Sequence, residues 1–113
     1  MEVYNRFEDP RHIKWAKDVK KRDNYTCRVC GARNVYLNSH HLNSWDVFED
    51  HRFLVENGIT LCTRCHSSFH DIYGSGNNTY LQFREFLNLV KLLKEIAEEE
   101  YERRARRYQG SCS

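Results

Sequence analysis

Apolar residues recur along the chain with two different periods, and the switches between them mark the elements. From Pro10 to Arg22 the period is helical: Ile13 and Ala16 share one side, as do Trp15 and Val19. Asp9 supplies a cap acceptor, and Pro10 suits the first helical position, where its missing N–H has no partner to lose. The segment NVYLNSHH alternates, with Val35 and Leu37 on one side, and reads as a short strand. Residues 42–56 read as loop with broken helical character, and GITLC at 58–62 as a second short strand. A helix is expected over 65–73, carrying His66, Phe69 and His70, then a turn at GSGNN. Thr79 and Gln82 match a capping box ahead of a long helix. Its apolar stripe runs through Phe83, Phe86, Leu87, Val90, Leu93 and Ala97, favoured as core in its first half. The charged end offers Glu99–Arg103, Glu100–Arg104 and Glu102–Arg106 as i,i+4 pairs.

A chain of 113 residues builds one small domain, and domains of this size often need a metal or a disulfide to hold them. Six Phe, seven Tyr and two Trp argue against disorder. The net charge of +2 says little, but its distribution says more. Residues 1–34 carry nine Lys or Arg against five Asp or Glu, whereas residues 35–90 carry three against six. The basic front end can meet phosphates, with Lys20, Lys21, Arg22, Arg28 and Arg33 as candidate contacts. The acidic middle suits a cation. There is no apolar run of membrane-spanning length, and Met1 to Pro10 does not resemble a signal peptide. A reducing cytoplasm is expected, where spaced cysteines read as metal ligands rather than disulfides. Cys112, in a Gly/Ser-flanked tail, is expected to be a free surface thiol.

Cys27 and Cys30, then Cys62 and Cys65, form two Cys-x-x-Cys pairs. Four thiolates satisfy a closed, structural zinc site. That leaves the histidines to be explained. His66 and His70 are four apart, so they share a helix face and suit one divalent cation. His40 and His41 are adjacent on a strand and point to opposite sides. One can join the helix pair while the other sits beside it and takes a proton. Three protein ligands and an open position describe a catalytic metal, able to receive a phosphate oxygen. A neutral histidine can deprotonate water, provided its other nitrogen is held. Asn57 offers an amide oxygen for that, although Asn57–Gly58 is also a turn signal. His12 and His51 have no partner at a telling spacing and read as surface residues.

These residues resemble the HNH endonuclease family, also called ββα-metal or His-Me finger nucleases. The resemblance rests on VKKRDNYTCRVCG at 19–31, SHHL at 39–42, ENGITLC at 56–62 and CHSSFH at 65–70. FHDIYGSGNNTYLQFREFL at 69–87 looks like the small stand-alone members of phages and group I introns. The resemblance implies a small α+β fold: a ββα-metal finger with a structural zinc, flanked by an N-terminal and a long C-terminal helix. The nuclease domain would span 1–97, with a charged helix end and flexible tail at 98–113. It implies DNA cleavage to 5′-phosphate and 3′-hydroxyl ends. His41 would be the general base and Asn57 its orienting residue. His40 and His66 would bind the catalytic ion, with His70 a ligand in some members only. The ion would be Mg2+, Mn2+, Zn2+, Ni2+ or Co2+. Homing enzymes, restriction enzymes and colicins belong to the family, as do packaging-associated nucleases of phages, so terminase is an implied partner class. The expected partner otherwise is DNA, met as a monomer or homodimer, with no membrane.

Two other classes compete. A zinc-containing DNA-binding module without catalysis would explain the basic front end and the cysteines, but has no use for a base beside a metal triad. An interaction protein could use the stripe from Phe83 to Ala97 to pair with a partner.

Overall fold

In a computed structural model, which describes residues 3–111, the chain starts with a 3-10 turn at Arg6–Glu8 and enters helix α1 at Pro10–Arg22. The side chain of Asp9 accepts from the Arg11 N–H at 2.9 Å and caps the helix. The helix stops where Asn24 and Tyr25 turn left-handed, at φ 55° and 50°. The buried face of α1 is His12, Trp15 and Val19. Ile13 is exposed instead, and His12 is not a surface residue. Trp15 and Val19, four apart, set the face, and His12 lies three before Trp15 on the same side.

Strands β1 (Leu37–His41) and β2 (Gly58–Cys62) pair antiparallel, with Leu37 opposite Cys62 and His41 opposite Gly58. Val35 falls outside β1 and is exposed. The connection at 42–57 carries 3-10 turns at Glu49–His51 and Val55–Asn57. Helix α2 (Thr63–Tyr73) begins directly after β2, giving the order ββα. The core between these elements holds Trp15, Val19, Leu61, Phe69 and Phe83, each nearly inaccessible to water.

Two contacts lock α1 against the sheet. Asp23, at the end of α1, buries its carboxylate fully between Arg22 and Arg28, each at 2.9 Å. It also accepts from the Thr60 N–H at 3.0 Å. Burial opposes the charge, yet the Arg22 guanidinium and the Thr60 N–H together hold the pKa of Asp23 below the ordinary aspartate value. The second contact is Gly58. Its φ of −119° is extended and open to any residue, so no turn demands a glycine there. Space does: an added Cβ would strike Val19 and lie 2.8 Å from Trp15. Gly58→Ala is therefore expected to destabilise the fold by about 1–3 kcal/mol, the usual cost of overpacking. Denaturant unfolding checks this, and an unchanged midpoint would mean that β2 is not clamped on α1.

Helix α3 (Tyr80–Ser111) opens with the expected capping box: Gln82 N–H donates to Thr79 Oγ1 at 3.2 Å, and Thr79 N–H to Gln82 Oε1 at 3.0 Å. The chain divides into two compact units, Met1–Phe83 and Arg84–Ser113. Within the second, Glu100 takes both Arg103 and Arg104, at 2.9 and 3.2 Å. The expected Glu99–Arg103 pair is not formed, because Glu100 reaches Arg103 one residue closer. Leu87 and Leu93 of the apolar stripe are exposed. Cys112 lies outside the described residues, and no described helix is long and apolar enough to cross a membrane.

Candidate metal centres and the histidine groove

Cys27 and Cys30 sit on a tight knuckle. Gly31 N–H donates to Cys27 O at 2.9 Å, and the left-handed φ of 78° at Gly31 then turns the chain so that Ala32 O accepts from Cys27 N–H at 3.0 Å. Cys62 closes β2 and Cys65 lies in the first turn of α2, so the strand-to-helix junction aims both sulfurs at the knuckle. The four sulfurs lie within 4.8 Å of one another, and Cys30 Sγ is 3.7 Å from Cys62 Sγ. Zn–S bonds of about 2.3 Å in a tetrahedron place sulfurs about 3.8 Å apart, so the donors fit zinc. Burial opposes ionisation of Cys27, but the amides of Cys30, Cys62 and Val29 outweigh it and bring the pKa to about 7. Burial, joined by the neighbouring sulfurs, pushes Cys65 up. A cation here would relieve that cost, as metal binding displaces thiol protons.

The second group forms across β1 and α2. His40 points from β1 toward α2, where His66 and His70 share one face. The ligand nitrogens of all three lie within 4.8 Å. His66 Nε2 is 3.0 Å from His70 Nε2. His70 Nδ1 lies 2.9 Å from the Gly74 carbonyl, which can only accept, so Nδ1 carries the proton and Nε2 presents a lone pair. That carbonyl contact is the usual support of a metal-ligating imidazole. His40 Nε2 is buried with no hydrogen-bond partner. An orphaned imidazole nitrogen facing two others is a donor set that fits a divalent transition metal. Burial drives the pKa of His40 to about 3, with the charges of His66 and His70 adding to it. Burial also lowers His66.

His41 points the other way, as adjacent strand residues must. Its ring stacks on Trp15 at 3.8 Å between centroids, tilted by 12°. Its Nε2 lies 3.0 Å from the Arg52 carbonyl. The carbonyl requires a donor, so Nδ1 keeps the free lone pair. Burial lowers the pKa of His41 to about 4, against the opposing pull of that carbonyl. The ring is neutral at pH 7.

Asn57 was expected to hold this ring directly, and the structure corrects that. Its Oδ1 accepts from Asn43 N–H at 2.9 Å, and its Nδ2 donates to the carbonyls of Asn43 and His51 at 3.0 and 3.1 Å. It staples the connection that carries Arg52, so its reach to His41 is indirect. Its partners are backbone groups, invisible to spacing. His51, expected on the surface, is half-buried and takes part in the same staple. Trp15 and Arg52, the two groups that fix the His41 ring, were also missed. Only the placement of Trp15 on the α1 face was legible.

The candidate phosphate contacts divide. Arg22 is committed to the fold: beyond Asp23, it donates to Val55 O at 2.8 Å and Gly58 O at 2.7 Å. Arg28 is tied to Asp23. Lys21 and Arg33 are exposed, while Lys20 lines a groove of about 650 Å³ shared with His40, His41, His66 and His70.

A ββα finger with a four-cysteine group that could hold zinc, and a histidine group on its strand and helix, defines a metal-finger class of protein. The model of the family described as HNH endonuclease matches residues 27–71, which span both groups. The chain belongs to the HNH endonuclease family. It is 37% identical over 59 residues to anaredoxin of Nostoc sp. (strain PCC 7120 / SAG 25.82 / UTEX 2576), covering 52% of this chain and 75% of that protein. No solved structure matches the chain.

Proposed function

We propose that the protein is a metal-dependent DNA endonuclease that hydrolyses phosphodiester bonds to 5′-phosphate and 3′-hydroxyl ends. The observation that carries this reading is the orphaned Nε2 of His40, buried opposite His66 and His70, on the groove that also holds His41. His40, His66 and His70 would hold the ion. Bound there, a divalent cation supplies Lewis acidity to the scissile phosphate and offsets charge as the 3′-oxygen leaves. Nitrogen ligands favour Zn, Ni, Co or Mn over Mg. His41 accepts the proton of the attacking water at Nδ1, and the Arg52 carbonyl keeps it in that tautomer. Trp15 fixes the plane of the ring. Asn57 acts as a positioning residue through the loop, so Asn57→Ala should cost less activity than loss of the His41 imidazole.

The test is supercoiled-plasmid cleavage by protein dialysed free of loosely held ions, its cysteine-bound zinc retained, with and without each divalent ion. Cutting should require added metal, vanish in His66→Ala at low metal, and partly return as metal is raised. A chain that binds duplex but does not cut it with any of the ions would instead be a zinc-containing DNA-binding module.

The pH profile gives a second check. His40 and His41 have pKa values of about 3 and about 4, against 6.5 for free histidine, because burial disfavours their charged forms. Both are neutral lone-pair donors at pH 7, and activity should fall on acidification, as imidazoles that hold the ion or take the proton become charged. A rate that rises on acidification would contradict a neutral base. Folding stability follows the same direction: the unfolded chain takes up these protons first. The contribution is therefore complete above pH 6.5 and lost as pH falls toward 4 and 3.

A further inference from the structure

Five of the eleven arginines and lysines of the first unit are engaged by ion pairs or hydrogen bonds within the fold. Arg11 pairs with Asp9, Lys14 with Asp18, and Arg22 and Arg28 with Asp23. Arg52 donates to Trp45 O at 2.8 Å. Arg6 differs. It has no ion pair or hydrogen bond from its side chain among the described residues, yet it is held in place. Its guanidinium carbon lies 5.0 Å from the Phe7 ring centroid and 5.2 Å from that of Trp45. Asn5 Oδ1 accepts from Phe7 N–H at 3.0 Å and fixes the turn that carries both residues. Trp45 is itself fixed from elsewhere, since the Arg52 guanidinium lies 4.6 Å from its centroid.

A cation–π shelf holds the guanidinium through its face and uses none of its N–H donors. All five stay free, in a planar fork that matches phosphate oxygens. Arg6, Phe7 and Trp45 line the groove that holds His40, His41, His66 and His70. Lys20 lines it too, and Asp46 is the one carboxylate among the described residues that do. The groove thus favours an anion, more so once a divalent ion sits on the histidines.

We infer that Arg6 is a phosphate-binding residue, whose guanidinium, shelved on Phe7 and Trp45, grips a phosphodiester of the DNA strand lying along the histidine groove. This rests on the nuclease reading for the identity of the polyanion, but its test does not depend on cleavage. Duplex binding is measured by fluorescence anisotropy from low to moderate salt, in a His41→Ala background so that the probe stays whole. Arg6→Gln should flatten the plot of log affinity against log salt by about 0.9, the loss of one phosphate contact on duplex DNA. Arg6→Lys should keep the slope, because a point charge still neutralises the phosphate, while affinity falls with the lost fork. Arg104→Gln, an exposed arginine paired with Glu100, is the control and should leave the slope unchanged. Circular dichroism confirms that each variant is folded. Because Arg6→Lys keeps the cation on the shelf, it reports on the charge even if Arg6→Gln loosens the turn. An unchanged slope in folded Arg6→Gln, or an equal drop in Arg104→Gln, would overturn the assignment. A wild-type chain that never cuts, with the Arg6 slope change intact, would strike the hydrolase reading and leave Arg6 as a nucleic-acid contact.

Discussion

His41→Ala is expected to lower the single-turnover cleavage rate by about 10²–10⁴-fold at saturating metal, the usual range for losing a general base. The imidazole sits on the face of β1 away from the His40, His66 and His70 nitrogens, so its removal should leave the ion bound. It also makes no contact that holds the cysteine group. Metal affinity, measured by calorimetry, and duplex affinity should both stay within a few-fold of wild type. That separation distinguishes a base from a ligand, because His66→Ala should lose metal first and rate as a consequence. Equal single-turnover rates for His41→Ala and wild type would remove His41 from the chemistry. Some loss of stability is expected as well, since the ring stacks on Trp15. Melting curves therefore belong beside the kinetics.

Cys65→Ser is expected to abolish zinc retention and cooperative folding together. Structural zinc contributes roughly 10–16 kcal/mol of apparent binding energy in small zinc modules, more than the whole net stability of a typical domain. The sulfur of Cys65 is buried at the start of α2 and belongs to a group that joins the knuckle at Cys27–Cys30 to the end of β2. A serine hydroxyl keeps the volume but is a poor zinc ligand. Elemental analysis should find one zinc per wild-type chain beyond any ion on the histidines, and none at this group in the variant. Wild-type protein that holds no zinc yet gives a dispersed NMR spectrum would show that the four thiols stand without metal.

The elements that carry strong local signals were legible in the sequence. Asp9–Pro10 started α1, Thr79 and Gln82 capped α3, and the two cysteine pairs named their own cluster. Alternation along β1 sends His40 and His41 to opposite faces, as their rings show. What remained hidden depends on tertiary burial. Arg22 and Arg28 look like free cations until Asp23 is seen to be buried between them. Ile13 outranks His12 in hydrophobicity, yet the helix face is set by where Trp15 and Val19 point. The Asn57 amide spends its hydrogen bonds on backbone groups of residues 43 and 51, a choice fixed by the path of the loop. Gly58 carries a turn signal in the sequence but serves a close approach to α1.

Cys65 and His66 are consecutive residues in the first turn of α2, so one rigid segment belongs to both donor groups. β2 ends in Cys62 and pairs with β1, which ends in His40 and His41. Ordering the sulfurs therefore sets the register that brings His40 to the helix. In thermodynamic terms the two groups are linked: an ion that organises one lowers the entropic cost of organising the other. By reciprocity the gain in affinity is the same in either direction.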